Sequence, residues 1–474
     1  MTTRGLPAAH DVIDTALAAA APDSDGCVVI VEDSSEVDVR FANNTTTTNG
    51  DRRDRRVTVA CFRQANGGLA AGTSRRGGDV DVGDLVRAAL ADAAGSPAAE
   101  DAAPLLGPDD IRPAGGEGAA EGYAEAPEET DLSVLAPVLA GLSGAFERAV
   151  AAGHVLYGFA EHRRATTYLG SSTGVRLAHR QPTGALHLVA RTPDGRASSW
   201  AGVGTATFDD IAFQALEERV VQRLAWSRTR FEWSPGRYEV LLPPDAVSDL
   251  MVDVIYAAGG RDAEDGRTVF SAPGGGTRVG EALAATPFSL WSDPAQPGLE
   301  CSPFLTASAS DGDTSVFDNG LPLERTEWIS QGRLNHLRYH RAGAARSGVA
   351  PAPYIDNLVL GVPGATASLD DMVARTERGL LLTCLWYIRE VDPVTLLLTG
   401  LTRDGVYVVE DGKVTGATTN FRFNESPVDL LSRATEVGAT VRSLSRESGE
   451  YVNRTAMPPL RIPDFNMSTV SPAS

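Results

Sequence analysis

The sequence predicts an α+β protein in which an α/β-type N-terminal domain is followed by a β-rich C-terminal domain with a curved, barrel-like sheet. The chain has 474 residues, of which 42% are hydrophobic, and this size suits about two to four domains with large buried cores. Residues 1–228 combine helical spacing of apolar residues with the period-two pattern of strands. Residues 232–470 consist mainly of short strands separated by Gly, Pro and Asp-Gly turns.

The first part of the N-terminal domain is predicted to be a small α/β module that begins with a helix over residues 11–20. Four strands are expected next, at Cys27–Glu32, Val37–Phe41, Arg56–Arg63 and Gly68–Ser74. A helix over Asp81–Ala94 follows. The second strand is expected to end in Asn43-Asn44 and a Thr run, which Asn49-Gly50 closes with residues typical of turns. The run Arg52–Arg56 (RRDRR) is expected to be a solvated turn between strands.

Residues 96–130 are rich in Ala, Gly, Pro and Glu and nearly lack aromatic residues. This composition predicts a poorly ordered acidic connector, with an extended surface strap as the alternative for part of it. A helix over Leu132–Ala152 is predicted next. Alternating stretches then favour a half-buried antiparallel sheet, at His154–Arg163, Thr166–Leu169, Val175–Arg180 and Gly184–Arg191. Asp209-Asp210 is expected to cap the helix that ends this domain.

The C-terminal domain is predicted to begin with the strand in YEVLLPP, which two prolines stop. Asp245 is expected to cap the next helix, which Gly259-Gly260 would end. Later strands are expected at Leu358–Gly361, Leu380–Ile388, Gly405–Glu410 and Lys413–Gly416, and a hairpin turn joins the last two. A final helix is predicted over Val428–Val437.

The charge of the chain argues against nucleic acid as a partner. The 42 basic and 62 acidic residues give a net charge of −20, whereas a duplex-binding protein needs clustered Lys and Arg to replace counterions on phosphates. No stretch approaches the ~20 apolar residues that cross a bilayer, and the N-terminus lacks the pattern of a signal peptide. We therefore expect a cytoplasmic protein that binds neither nucleic acid nor membranes.

The four cysteines form no recognisable metal or disulfide motif. They are Cys27, Cys61, Cys301 and Cys384, and no two of them make a CxxC pair. Three lie in apolar, strand-like runs, where a free cysteine behaves as a small core residue.

His336 and His340 are the first candidates for a metal site, because two His at i and i+4 on a helix face can bind one zinc ion. Zinc peptidases place a Glu directly after the first His, and here Leu337 is in that position. Structural or surface histidines are therefore favoured over a metal site. The Gly-rich run Gly274–Gly280 lacks the ending of a P-loop. The residues alone indicate no self-sufficient catalytic set.

A series of segments in the C-terminal half resembles, in the expected order, the TldD/TldE (PmbA) family of metallopeptidases. The segments are Pro235–Met251 (PGRYEVLLPPDAVSDLM), Gly266–Leu283, Pro287–Pro294 (PFSLWSDP), Ser315–Gly348, Leu358–Gly400 and Gly405–Thr418 (GVYVVEDGKVTGAT). The strongest is Ser315–Gly348, which is similar to the family pattern fDdeG…GxLxxylxdxxxA. The N-terminal half agrees more loosely, through VDVRFANNTTTTNG and the strands around STGVRLAHR.

The resemblance implies zinc chemistry in TldD, the catalytic branch, in which a helix of this domain carries HExxxH and a Cys near the C-terminus completes the site. The matching helix here, Asp245–Gly259, has neither His nor Glu, and Ser443–Ser474 has no Cys. That pattern resembles TldE. The chain is thus expected to have no catalytic or metal-binding residue of its own and to pair with a zinc-bearing TldD-like subunit. The heterodimer would act on small or unfolded peptides, in proteolysis or in peptide maturation.

A second hypothesis is a stand-alone homodimer that binds peptide or catalyses another reaction in the same cleft. The candidate cleft residues are Asp318, Asn319, His336 and His340. The segment Gly348–Tyr354 departs from the Ser/Thr-Gly-Asn-Arg that often stands there in the family, and it is expected to line the cleft and change peptide selection. An adjacent encoded chain with HExxxH would favour the heterodimer, and its absence would favour the homodimer.

Overall fold

A computed structural model of the chain describes residues 6–111 and 122–471. The N-terminal half contains one antiparallel sheet of six strands, in the order β3-β2-β1-β4-β5-β6. These strands are β1 Gly26–Ala42, β2 Thr45–Ala65, β3 Gly68–Gly77, β4 Val155–Ser171, β5 Arg176–Arg191 and β6 Ser198–Thr205. The mixed α+β class predicted from the sequence is confirmed.

Both faces of this sheet are covered, because successive side chains of a strand point to opposite faces. One face packs against four helices, which are α1 Ala9–Ala20, α2 Val82–Gly95, α3 Ala136–Ala152 and α4 Phe213–Trp226. On β1, Val29 and Val39 face these helices. Val28 lies on the opposite face, in a cluster with Phe304 and Phe317 of the C-terminal half. The sheet therefore forms the layer between the helices and the C-terminal domain.

The strands of this sheet are longer than predicted. Residues 27–32 and 37–41 belong to one continuous strand, β1, and the turn that follows is Asn43-Asn44, not Asn49-Gly50. Both asparagines have positive φ, 52° and 59°, which the two-residue turn of a tight hairpin requires. The predicted pairs of strands over 154–169 and over 175–191 are likewise single strands, β4 and β5.

The prediction of a solvated turn at Arg52–Arg56 is wrong, because this run lies inside β2. Arg55 is buried and donates from Nε and Nη2 to the two carboxylate oxygens of Asp33 on β1, at 2.6 and 2.7 Å. Ser35, also buried on β1, accepts a hydrogen bond from the backbone of Thr130. Because Arg55 and Thr130 satisfy the hydrogen bonds of Asp33 and Ser35, β1 can continue as a buried strand through these two polar residues.

Where the structure describes it, the segment predicted as an acidic connector is held both to the C-terminal half and to the N-terminal sheet. Leu106 is buried, and the side chain of Asp101 accepts a hydrogen bond from Ser315 at 2.6 Å. Thr130 donates its backbone N–H to Ser35 and bonds through its hydroxyl to His162. These residues form a surface strap, whereas residues 112–121 lie outside the described part of the chain.

One helix in the described residues, Leu132–Ala152, is long and apolar enough by composition to cross a membrane. It consists of a 3₁₀ turn and α3. Leu135, Val138 and Leu142 on its inner side are buried in the core cluster that α3 shares with α4 and the sheet.

The C-terminal half contains two further sheets. One has six strands in the order β10-β9-β8-β11-β20-β19, namely β8 Ser289–Ser292, β9 Thr326–Ser330, β10 Arg333–Leu334, β11 Leu358–Gly361, β19 Val441–Ser443 and β20 Thr455–Met457. The other follows the order β13-β14-β17-β21-β7-β12-β15-β16. Its strands are β7 Gly236–Leu242, β12 Arg378–Leu382, β13 Leu385–Asp392, β14 Leu397–Thr402, β15 Val406–Glu410, β16 Lys413–Ala417, β17 Asn420–Glu425 and β21 Leu460–Ser471, with β18 Glu436–Val437 paired to β21. Strong curling of this sheet into a half-barrel confirms the predicted barrel-like shape.

Five helices belong to this half: α5 Pro244–Tyr256, α6 Gly260–Glu264, α7 Arg341–Ser347, α8 Leu369–Ala374 and α9 Pro427–Arg433. The helix α5 lies in the middle of the core. Nine of its thirteen residues are buried, and its apolar side chains pack with strands of both sheets in one cluster. The hairpin predicted between Glu410 and Lys413 is confirmed.

Several predicted element ends are wrong. Pro243, not Asp245, occupies the N-cap of α5, and Gly259-Gly260 begins α6 after α5 has ended. The stretch predicted as one strand over 380–388 is divided between β12 and β13, which lie far apart in the sheet order. Asp209-Asp210 does not cap α4, because Asp210 instead accepts hydrogen bonds from Thr205 and from Arg442 of the C-terminal half.

The two halves of the chain are in contact where Arg446 forms cation–π contacts with two tryptophans, Trp200 of the N-terminal half and Trp386 of the C-terminal half. The guanidinium carbon of Arg446 is 5.3 Å from the ring centroid of Trp200 on β6 and 4.6 Å from that of Trp386 on β13. Trp200 is completely buried, whereas Arg446 and Trp386 are half-buried. The contact with Trp200 is thus the better shielded of the two, and cation–π contacts are stronger when they are shielded from water.

We predict that Asp33→Ala lowers the free energy of unfolding by about 3–5 kcal/mol, because it leaves the buried Arg55 guanidinium without its partner. Urea unfolding monitored by circular dichroism measures the change. The matched control is Asp84→Ala, which removes the exposed ion pair with Arg87 and should cost less than about 1 kcal/mol. Equal effects of the two substitutions would contradict the assigned role of the buried pair.

Candidate functional site

The polar stripe of α5, formed by Asp245, Ser248 and Asp249, is the first candidate site, because the sequence resemblance aligns α5 with the family's zinc-binding helix. Asp245, Ser248 and Asp249 are spaced by three and four residues, so they lie on one face of the helix. All three side chains bond to residues 443–455, which run from the end of β19 through the following connection to the start of β20. The stripe faces another part of the same chain, and its hydrogen bonds anchor that connection.

Each bond in this stripe has a defined partner. Leu444 donates its N–H to Asp245 Oδ1 at 3.0 Å. The hydroxyl of Ser248 is 2.7 Å from the hydroxyl of Ser443 and donates to that of Thr455 at 2.9 Å.

Asp249 is the most perturbed group of the stripe. Its Oδ1 accepts from the Ser445 hydroxyl at 2.7 Å and from the Glu447 N–H at 2.9 Å. Its Oδ2 is buried and has no hydrogen-bond partner among the described residues. Burial raises the pKa of Asp249 to about 8, because a charged carboxylate loses its hydration inside the core. One turn further, burial followed by the nearby charges of Glu390 and Glu447 raises the pKa of Asp253 to about 7.

The donor set of α5 does not fit the zinc site that the family implies. A catalytic zinc usually has three protein ligands drawn from His, Cys and carboxylates. The side chains of α5 that could bind zinc are the three aspartates, and two of these, Asp245 and Asp249, already accept hydrogen bonds from residues 443–455. Within residues 6–111 and 122–471, no group of three or more His, Cys, Asp or Glu is placed to hold a metal ion. No step of peptide hydrolysis is therefore assigned to this helix.

Three of the four candidate cleft residues from the sequence lie together, and all three are buried. Asp318 accepts from the backbone N–H of Arg341 at 2.8 Å and from its Nε at 2.7 Å. Asn319 bonds to the backbone N–H and C=O of Ala307. The Nδ1 of His340 accepts the N–H of Gly343 and thereby caps α7, while burial lowers its pKa. These contacts hold loops and a helix start in place.

His336 does not share a helix face with His340. It follows β10 in an irregular stretch, half-buried, and its Nδ1 lies 2.9 Å from the backbone oxygen of Glu327. The arrangement required for a two-histidine zinc motif on one helix is therefore not formed by these residues. In the segment 348–354, Ala352 is buried and bridges to Tyr339.

A groove of about 940 Å³ lies between the two halves of the chain, and sequence reasoning did not find it. From the N-terminal half, α4 and the end of β6 line it. From the C-terminal half, the start of α5, α8, the β15–β16 turn and β19 line it. Its basic residues include Arg219, Arg442 and Lys413, and Lys413 is the only lysine of the whole sequence. The sequence shows that Lys413 is a single lysine, but only the fold shows that it lines the same groove as α4.

We predict that the pH dependence of stability reports the buried Asp249 carboxyl. Its pKa is raised from 3.8 to about 8, so between about pH 4 and pH 8 the folded chain keeps a proton that the unfolded chain releases. Its contribution to the free energy of unfolding therefore falls by up to about 1.4 kcal/mol per pH unit as pH rises through this window. Asp249→Asn keeps the Oδ1 acceptor and removes the titration, so the variant should show a flatter profile in urea unfolding.

The matched control for this prediction is the exposed Asp84→Asn, which should leave the profile of the parent unchanged. Identical profiles for the parent and Asp249→Asn would show that this carboxyl does not carry the raised pKa.

The comparisons with known proteins agree with this architecture. A family model described as the PmbA/TldA metallopeptidase C-terminal domain matches residues 235–469. TldE from Thermococcus kodakarensis shares the fold with a TM-score of 0.76 at 15% identity, and the match covers 96% of this chain and 99% of that one. A proposed modulator of DNA gyrase from Thermotoga maritima matches with a TM-score of 0.75 at 16% identity over 96% and 99% of the two chains.

A second proposed modulator of DNA gyrase, from Bacteroides thetaiotaomicron, has a TM-score of 0.75 at 14% identity, and the match covers 97% of this chain and 98% of that one. The search of curated proteins finds no match. The family model over the C-terminal half and the shared fold over nearly the whole length agree with the ordered sequence segments, and the protein belongs to the TldD/TldE (PmbA) metallopeptidase family.

Proposed function

We propose that this chain is a TldE-like, non-catalytic subunit of a TldD/TldE-type zinc metallopeptidase that acts on small or unfolded peptides. The subunit pairs with a TldD-like chain, which supplies the zinc ion, its ligands and the general base. We further propose that the pair works in the cytoplasm, in proteolysis or in the maturation of peptides.

The observation that carries this proposal is the helix α5. Its sequence lacks both His and Glu. Its polar side chains are used to hold residues 443–455, with Ser248 and Asp249 buried in those contacts. A helix that presented zinc ligands would instead need two imidazoles and a carboxylate aimed at one open coordination position. The polar face of α5 thus supports an internal structural role and leaves metal chemistry to a partner.

The likeness to TldE from Thermococcus kodakarensis supports the fold part of the proposal. The functional part depends on the residues of this chain, because a structural likeness between distant sequences establishes architecture and not activity.

We predict that the purified chain binds no zinc by itself and that co-purification with a TldD-like partner gives about one zinc ion per pair, since a full ligand set exists only in the partner. Elemental analysis of both preparations measures this. Peptidase activity on an unfolded peptide should be found in the pair and not in this chain alone.

Two matched variants sharpen this test. Replacing the first His of HExxxH in the partner should remove zinc and activity from the pair, whereas His336→Ala in this chain should leave the zinc content unchanged. Stoichiometric zinc in the isolated chain, or zinc-dependent peptidase activity without the partner, would overturn the proposal and favour the stand-alone homodimer.

A further inference from the structure

We propose that the groove between the two halves of the chain binds an extended acidic peptide. The apolar side chains of the peptide would pack against α4 and the opposite wall, and its carboxylates would reach Arg219 and Lys413. This site belongs to this chain alone, so the proposal does not depend on a zinc-bearing partner.

The walls of the groove are apolar over most of their length. Ala215, Leu216 and Trp226 line it from α4, and Val373 and Val414 line it from the C-terminal half. Its volume of about 940 Å³ lies within the range of roughly 300–1,000 Å³ that is usual for ligand sites. A peptide with aliphatic side chains would therefore remove apolar surface from water on both walls.

Four basic and four acidic side chains line the groove, which is thus neutral in a chain of net charge −20. They are Arg219, Arg223, Lys413 and Arg442, and Asp210, Glu218, Asp245 and Asp370. The groove is accordingly much less negative than the average surface of the protein, which lowers the electrostatic cost of bringing an acidic ligand to it.

The hydrogen bonds inside the groove leave two of the cations unpaired. Arg442 forms an ion pair with Asp210. Arg223 is buried and donates to the backbone oxygen of Trp200 at 2.8 Å. Arg219 and Lys413 are exposed and make no ion pair or hydrogen bond with any residue that the structure describes. Charged donors on an apolar wall are suited to carboxylates, because a charge-assisted hydrogen bond is stronger than a neutral one.

Two further acidic residues of the groove are already hydrogen-bonded. Asp245 accepts the N–H of Leu444, and Glu218 accepts from the side chain of Gln214 at 2.8 Å. Asp370 is in the first turn of α8, where the helix dipole stabilises a negative charge. The charge of Asp245 interacts with that of Arg219, but in the described residues none of these acidic side chains forms an ion pair with Arg219 or Lys413.

Two terminal strands of different sheets reach the groove, which favours an extended ligand. β16 is the last strand of its sheet and contributes Lys413 and Val414, and β19 is the last strand of the other and contributes Val441 and Arg442. The outer edge of β16 is paired at its end, where the backbone of Ala417 exchanges hydrogen bonds with Thr229 and Phe231. Strand edges offer N–H and C=O groups that an extended peptide backbone can use.

The binding test uses fluorescence anisotropy with two labelled peptides of about eight residues, a length that an extended chain needs to span roughly 26 Å. One peptide alternates leucine and glutamate with a central glycine, and the other has glutamine in place of every glutamate. We expect the purified chain to bind the acidic peptide about tenfold more tightly than the neutral one at low salt, and the difference should shrink as salt screens the charges.

Charge reversal at the groove separates this site from general electrostatic attraction. Lys413→Glu and Arg219→Glu should each weaken the acidic peptide about tenfold and leave the neutral peptide unchanged. Arg87→Glu changes the net charge equally on the exposed face of α2 and should have no effect on either peptide. Ala215→Trp places a large ring in the groove and should weaken both peptides.

The single lysine provides a second, independent measurement. An amine-reactive ester can modify Lys413 and the chain's own N-terminus, and no other lysine exists. Peptide mapping by mass spectrometry should show that the acidic peptide protects Lys413 while labelling of the N-terminus is unchanged.

Three results would overturn the proposal: equal affinity for the acidic and neutral peptides, unchanged binding in both charge-reversal variants, or labelling of Lys413 that the acidic peptide does not slow. Displacement of the acidic peptide by a short oligothymidylate at equal charge concentration would also overturn it, because the groove would then select charge and not a peptide. None of these measurements involves zinc or a partner, so their failure is distinct from failure of the proposed subunit role.

Discussion

The burial of most of α5 is the constraint on which most of the C-terminal structure depends. A helix inside a core must give every polar side chain a partner, because a buried polar group without one costs more than a hydrogen bond contributes. Asp245, Ser248 and Asp249 meet this requirement by bonding to residues 443–455. That connection then carries Arg446 to the stack between Trp200 and Trp386. The position of one half of the chain against the other therefore depends on polar contacts made deep inside the domain.

The burial of α5 also determines what must hold its polar side. The helix still has to be held by something on its polar side, and here internal hydrogen bonds to a neighbouring connection do so. Ser443 and Thr455 are both completely or almost completely buried in this network. Such a network stabilises the domain without any ligand and makes α5 a structural element.

Much of the fold could be predicted from periodicity, and the failures have a common cause. The alternation of apolar residues located the helices and most strands of the N-terminal half, but it stopped at Asp33 and Ser35, where the strand continues. Those residues are buried because Arg55 and Thr130 satisfy them, and no local pattern indicates a partner that is distant in sequence. Asn49-Gly50 forms no turn and lies inside β2. The hairpin turn is at Asn43-Asn44, which supplies the two positive φ angles that it needs.

Of the candidate site, the sequence predicted only that its helix, α5, has no His and no Glu. The lack of His and Glu in α5 is evident from the sequence, whereas the partners of Asp249 and the wall facing Lys413 come from segments far along the chain. Asp318 and His340 are polar residues of the segment Ser315–Gly348, which resembles the family most strongly. The structure places them in contacts with Arg341 and Gly343 that fix a helix start.

The place of β7 in its sheet has a consequence for the order in which the protein forms during synthesis. β7 is the first strand of the C-terminal half, yet it pairs with β21, the last, through Leu242 and Leu460. The strands of the N-terminal sheet pair mostly with close neighbours in sequence, so that sheet can form early. One edge of β7 can pair with β12 earlier, but the other edge must wait until β21 has left the ribosome. Until then the nascent chain exposes a hydrophobic edge, and this is the interval in which premature association with another chain would be most damaging.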